Sequence, residues 1–364
     1  MRIGIIGAGQ LGQMLGFAAR ARGYTCYFLD PSDKPPAAKV GPVIQAPFDD
    51  RVALTVLAEK CDVITYEFEN VPVDALVDIA DLVPIYPPVI ALRHAQDRLA
   101  EKQLFEMLDI PLAKYRPVES ATDLEDAAAA IGLPLVVKTR RMGYDGKGQC
   151  VLHKVDEIDA ACQELGESAL IAEQRIDFDC EVSAIGVRAA SGKIASYCLT
   201  QNEHAGGILR VSRAPVENAV LTERANDYLH RLLEHFDYVG ILSLELFVAG
   251  NRLLANEFAP RVHNSGHWTI EGAETSQFSN HVLAIAGEQP GPTGNHGHAG
   301  MINLIGDVPD AVRRFDAGSL HEYGKAPRPG RKLAHITVVA DTVADRERLI
   351  SEILDSVTEL TRPQ

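Results

Sequence analysis

Short apolar runs alternate with helical patterns through the first ninety or so residues. Runs at 2–6, 25–29 and 63–66 are separated by stretches 10–22 and 52–59, where apolar residues recur at helical spacing. That is the rhythm of a parallel sheet with crossover helices. Residues 82–88 carry Pro84, Pro87 and Pro88; they cannot continue a helix and predict a last strand leaving a first domain of residues 1–92. A helix of strong formers at 95–108 opens a second domain, 93–290, whose lid of about residues 111–172 has strands at 133–138 and 169–173 flanking a glycine-rich loop. Runs at 181–188, 193–201, 208–215, 241–248 and 252–258 predict an antiparallel sheet, with a helix at 222–235 against it. The Pro/Gly-rich link 287–294 leads into a small third domain, 291–364, with strands near 300–304 and 333–340 and a closing helix at 343–357. The predicted class is α/β, α+β in parts, beginning with a Rossmann-like parallel sheet. A chain of 364 residues exceeds what one core usually serves, so a cleft between domains is expected.

Composition narrows the function. There is no apolar run of the roughly 18 residues a membrane span needs, and the opening apolar stretch is too short for a signal peptide, so a cytoplasmic, soluble protein without a membrane partner is expected. The net charge of −15 opposes general nucleic-acid binding, which leaves local basic clusters at 138–147 and 325–332 as places to grip small anions. Six cysteines lie far apart without a CxxC pair, against a zinc knuckle or a disulfide-stapled fold.

Gly7-Ala8-Gly9-Gln10-Leu11-Gly12 follows a strand and opens a helix, and Asp30 ends the next strand. This satisfies the dinucleotide fingerprint formally, yet the same glycines can serve a tight turn, close helix packing or another phosphate. The segment Arg140 to Gln149 sets three glycines around cations just after Lys138, a loop whose N–H groups can wrap phosphate oxygens; a solvated hairpin is its plainer reading. Glu245 and Glu257 fall on adjacent apolar strands joined through Ala249-Gly250-Asn251-Arg252. A two-residue turn would set Glu245 opposite Asn256, whereas a three-residue loop would set it opposite Glu257 on one face. Facing carboxylates repel unless a cation lies between them, and oxygen ligands suit Mg²⁺ bridging nucleotide phosphates. His263 and His267 are spaced i, i+4, but Asn264, Ser265 and Gly266 favour a polar substrate loop over a zinc helix. Lys325, Arg328, Arg331 and Lys332 gather four cations that can hold a phosphate monoester, or form a solvated loop.

In this order the motifs Gly9-Gln10-Leu11-Gly12, Gln96-Asp97-Arg98, Gly143 to Gln149, His263 to Thr269 and Gly330-Arg331-Lys332 resemble the ATP-grasp superfamily, over nearly the whole chain. Within it they are most similar to the family of 5-(carboxyamino)imidazole ribonucleotide synthetases of purine biosynthesis. The resemblance implies ATP and Mg²⁺ as cofactors, bicarbonate and aminoimidazole ribonucleotide as substrates, carboxyphosphate as intermediate, and a homodimer. It implies ATP contacts from Arg98, Lys138, Tyr144, Asp145, Gly146, Lys147, Gly148, Gln149, Glu173, Gln174, Arg175, Ile176, Glu181, His204, Asn256 and Glu257, with Glu245 and Glu257 on the metal. It further implies substrate contacts from Gln10, Leu11, Glu69, Tyr144, Arg261, His263, Asn264, Ser265, His267, Lys325, Arg331 and Lys332, with Arg261, His263 and Lys147 catalytic. Val262 stands where the family usually has proline, and Ala334 where it usually has glycine. Three other readings stay open: a formate-using glycinamide ribotide transformylase of the same superfamily, an NAD-linked oxidoreductase, and a silent nucleotide-binding regulator.

Overall fold

The computed structural model describes residues 1–143, 146–166 and 168–358. A parallel four-stranded sheet opens the fold in the spatial order Val43–Gln45, Thr25–Asp30, Arg2–Ile6, Val63–Tyr66. Its central strand is buried from Ile3 onward, as expected of a sheet with both faces covered. Residues 82–88 contribute one bridge, Ile64 to Ile85, and not the expected strand; the prolines lack the N–H groups a ladder needs. The expected helix at 95–108 is Arg98–Met107, which starts where Asp97 accepts from Leu99 N–H at 3.0 Å; a separate short helix, Val89–Ala95, precedes it.

A second four-stranded sheet, in the region expected to form a lid, is antiparallel and ordered Tyr115–Val118, Leu170–Gln174, Leu135–Thr139, Gln149–Leu152, so the glycine-rich loop joins the two strands of an edge hairpin. A nine-stranded antiparallel sheet carries the rest. Its expected strand 193–201 divides into Ile194–Ser196 and Thr200–Ala205, which pair with different stretches of Cys180–Arg188. Strand His298–Ile305 pairs with Ile208–Ala214, which makes the last strands continuous with the middle sheet.

Strand Gly240–Ala249 is apolar on both faces. Leu242, Leu244 and Leu246 pack with Leu229 and Leu233 of helix Ala219–His235, while Ile241 joins Trp268, Phe278 and Val282 on the other side. The period of two therefore puts Ser243 and Glu245 on the face away from helix Ala219–His235. Among the described residues no helix is long and apolar enough to cross a membrane.

Candidate active site

The hairpin of Gly240–Ala249 and Arg252–Ala259 fixes the central pair. Its turn has two residues, with Ala249 opposite Arg252, and from there Leu246 meets Ala255. A bulge at Asn256 then brings Glu257, not Asn256, opposite Glu245. The extra residue reverses the alternation. Leu253 and Ala255 lie in the core on the Ala219–His235 side, and so does Phe258. Without the bulge Glu257 would continue that inward series; with it, Glu257 joins Glu245 in lining a cleft of about 770 Å³.

The two acids are in unlike states. Burial, then the charge of Glu257, pushes the Glu245 carboxyl up to about 8. Burial acts upward on Glu257 too, but Arg98, donating from Nη1 at 2.9 Å, holds it below its ordinary value. His263 Nε2 approaches Glu245 Oε1 at 3.3 Å. Its imidazole is held well below its usual range by burial, then by Arg261 and Lys332, so that approach joins two neutral groups at neutral pH. Asn256 Oδ1 is buried without a hydrogen-bond partner.

A second, smaller cavity of about 300 Å³ adjoins along the same strand, for Ala255 lines it while Glu257 lines the larger one. Lys138, Glu173, Gln174, Arg175 and Ile176 face it, with Phe178 and Phe247 stacked at 4.7 Å. Glu173 is buried between Lys138 at 3.2 Å and Lys102 at 3.4 Å. Burial opposes its charge, yet Lys102 and Lys138 hold it at about 2. Burial lowers Lys138 in turn, with Glu173 opposing.

The larger cleft gathers Gln10, Leu11, Glu69, Arg98, Arg261, His263, Asn264, His267, Lys325 and Lys332 from all three parts of the chain. Arg261 is paired with Glu69 and donates to Val262 O at 2.8 Å. His263 and Asn264 are fixed from behind: His263 N–H donates to Gln277 Oε1 at 3.0 Å, and Asn264 exchanges two hydrogen bonds with Asn303. Ser265 is fully buried and meets His263 Nδ1 through its hydroxyl at 2.8 Å, so it orients that ring and does not face the cleft. Lys325 donates to Gln10 Oε1 and is lowered to about 8, chiefly by burial and then by Arg331. Arg331 donates to Ala326 O at 3.2 Å.

Glu181 and His204 stand at the side of the pair, their ligand atoms and that of Glu245 lying within 4.8 Å of one another. His204 Nδ1 is 3.0 Å from Glu181 Oε2 without hydrogen-bond alignment. Gly146, Lys147, Gly148 and Gln149 form the exposed hairpin end, outside both cavities, with Gln149 opposite Lys138. Tyr144 and Asp145 lie outside the described residues.

Glu67 went unread in the sequence. Glu67 accepts from Gly9 N–H at 2.6 Å and Gly12 N–H at 2.7 Å, and Asp30 from Ala8 N–H at 2.8 Å. The groups that would hold a pyrophosphate thus hold a carboxylate, which overturns the dinucleotide reading. Gly7, at φ +98°, is required here, since a Cβ would lie 2.4 Å from Glu67 Cγ. Glu67 stands one residue past strand Val63–Tyr66, a signal the sequence did contain. Glu67→Ala leaves two N–H groups without their acceptor and is expected to cost about 1–3 kcal/mol in urea unfolding; an unchanged midpoint would contradict this.

Stability should also track pH with a defined sign. Buried His263, His267 and His335 are lowered, so the unfolded chain binds more protons and stability rises towards pH 6.5, their ordinary value. Above that, Glu245 and Glu101, both at about 8 against an ordinary 4.5, keep protons the unfolded chain has released, so stability falls towards pH 8. Thermal unfolding of the metal-free protein should show this fall, and Glu245→Gln should flatten it. A steady rise through pH 8 would contradict the assignment.

Comparison with known proteins agrees with this geometry. Family models match for a ribonucleotide synthetase preATP-grasp domain over residues 1–96, an ATP-grasp domain over 103–278, and a phosphoribosylaminoimidazole carboxylase C-terminal domain over 299–349. The N5-carboxyaminoimidazole ribonucleotide synthase of Pseudomonas aeruginosa is 45% identical over 98% of both chains. The crystal structure of the Thermus thermophilus synthetase is 45% identical, covers 99% of this chain and 100% of its own, and superposes with a TM-score of 0.94. An Aspergillus clavatus synthase in complex with ADP and 5-aminoimidazole ribonucleotide is 30% identical over 98% of both chains, with a TM-score of 0.91. The two cavities joined at a paired-carboxylate hairpin, and the match along the whole chain, place this protein in the ATP-grasp enzymes, as a member of the N5-carboxyaminoimidazole ribonucleotide synthase family.

Proposed function

We propose that the protein carboxylates the amine of 5-aminoimidazole ribonucleotide with bicarbonate at the expense of ATP, giving N5-carboxyaminoimidazole ribonucleotide, ADP and phosphate. The observation that carries the reading is the bulge that turns Glu257 to face Glu245 where the two cavities meet. Adenine fits the smaller cavity, between Phe178, Phe247 and the strand end Glu173 to Ile176, and the phosphates extend past Lys138 towards Arg98. Glu181 and His204 lie at the ribose side.

The residues suit magnesium. Burial and the facing charge of Glu257 oppose ionisation of Glu245, a conflict that a cation between the two carboxylates relieves, and the buried Asn256 Oδ1 has no partner. When bound, the ion supplies neutralisation of the phosphate charge. Glu245 and Glu257 would hold it, with Asn256 assisting.

A bicarbonate oxygen attacks the γ-phosphorus and ADP leaves, which yields carboxyphosphate. Arg98, Lys138 and the loop lysine Lys147 offset charge spreading over the transferred phosphoryl group. Arg261 and His263 border the carboxyl group. The ribotide amine attacks the carboxyl carbon, phosphate departs, and the amine proton passes to the departing phosphate. Carboxyphosphate hydrolyses readily in water, so the Gly143 to Gln149 loop must cover the cleft during turnover. Lys325, Arg331 and Lys332 take the ribotide phosphate, beside Gln10. We place the enzyme in the cytoplasm as a homodimer by family resemblance.

ADP release measured across pairings of bicarbonate or formate with aminoimidazole or glycinamide ribotide tests the reading. Only bicarbonate with aminoimidazole ribonucleotide should support turnover; release with formate and glycinamide ribotide would replace this reaction with a transformylase.

A further inference from the structure

Strand Arg252–Ala259 is an outer edge of the nine-stranded sheet, and its bulge leaves backbone groups outside the ladder. Side chains from helix Arg98–Met107 meet them. Arg98 Nη1 donates to Glu257 Oε2 at 2.9 Å, Lys102 Nζ donates to the Asn256 carbonyl at 2.5 Å, and Phe258 N–H donates to Glu101 Oε1 at 2.7 Å. Positions i, i+3 and i+4 share one helix face. Here that face grips three consecutive strand residues centred on Glu257.

Glu101 and Lys102 are 2% and 1% exposed. Burying ionisable side chains contributes little net stability, and apolar residues fill a helix face at lower cost, as Leu104 and Phe105 do one turn on. Their geometry matches a positional task better. The same helix is capped by Asp97, which also holds Arg140 and Arg141 at the root of the glycine loop. Loop base, helix and bulged strand are therefore one connected unit.

We infer that Glu101 and Lys102 are positioning residues that lock the bulge at Asn256 and so keep Glu257 on the same face as Glu245. The inference rests on the proposed metal role of the two carboxylates. Neither side chain acts on the reacting atoms; Glu101 acts through the strand alone, and Lys102 acts through the strand while also pairing with Glu173 at 3.4 Å, so an ATP KM measured beside the magnesium constant separates its two contacts.

The test is the free Mg²⁺ giving half-maximal ADP release at fixed ATP, bicarbonate and ribotide, in wild type, Glu101→Ala, Glu101→Gln and Lys102→Met, with Glu257→Gln as control. Losing one buried hydrogen-bonding partner should raise that concentration about tenfold in Glu101→Ala and Lys102→Met, and move the ribotide KM by less than about twofold. Glu101→Gln keeps an oxygen for Phe258 N–H and should stay within about threefold of wild type. The clamp is overturned by an unchanged magnesium dependence in Glu101→Ala, by magnesium and ribotide constants rising together, or by Glu101→Gln failing as badly as Glu101→Ala. If Glu101→Ala does not fold, Lys102→Met decides by the same criteria. Wild-type behaviour of Glu257→Gln would instead remove the metal reading, which separates the two failures.

Discussion

Glu257→Gln should fold normally and lose ATP turnover by at least about a hundredfold, the scale of removing one preorganised electrostatic partner of a phosphoryl transition state. Folding should survive because the amide oxygen can still accept from Arg98, the contact that ties Glu257 to helix Arg98–Met107. Catalysis should not, since a neutral amide removes one of the two facing carboxylates that the hairpin offers a cation. Single-turnover ADP release and a urea unfolding curve separate the two properties. Wild-type turnover in a folded variant would show that the facing acids are not the metal site.

The second large effect is on the ribotide. Lys332 follows the turn before strand Lys332–Ala340 and reaches the larger cleft beside Lys325, whose amine is anchored on Gln10. Charge-assisted hydrogen bonds contribute about 1.5–3 kcal/mol, so Lys332→Ala should raise the ribotide KM roughly 10- to 150-fold. The ATP constant should change by less than about twofold, because Lys138 and Glu173 to Ile176 line the other cavity. Equal rises in both constants would place the phosphate elsewhere.

How far the sequence discloses this site depends on the kind of signal. The parallel sheet and the antiparallel strands of the middle sheet read directly from periodicity, because each buries a regular stripe; strand Gln149–Leu152, which closes the hairpin after the glycine loop, did not, since Leu152 alone of its four residues is buried. The facing of Glu245 and Glu257 did not follow from loop length alone: the turn has two residues, and the bulge corrects the register. Its trace is in the strand, where Leu253 and Ala255 demand one parity and Phe258 the other. Helix Arg98–Met107 hid its role for a related reason. Glu101 and Lys102 sit on the same stripe as Leu104 and Phe105, and charges on an apolar stripe are the available sign of a buried polar network. The glycine motif was ambiguous, since its spacing fits a dinucleotide as well as a tight turn with close packing, and only the distant Glu67 shows what its N–H groups bind. Ser265 looked like a substrate contact because its neighbours His263, Asn264 and His267 line the larger cleft; it is itself fully buried, in close packing beside Gly266, where a Cβ would lie 2.7 Å from Gln277.

One isotope experiment reaches the chemistry itself. With bicarbonate labelled in all its oxygens with ¹⁸O, and ATP and aminoimidazole ribonucleotide unlabelled, attack on the γ-phosphorus predicts one ¹⁸O in each inorganic phosphate formed, alongside an equal amount of carboxylated ribotide. Product formed with unlabelled phosphate would mean that bicarbonate is never phosphorylated, and the activation step assigned to this cleft would be wrong.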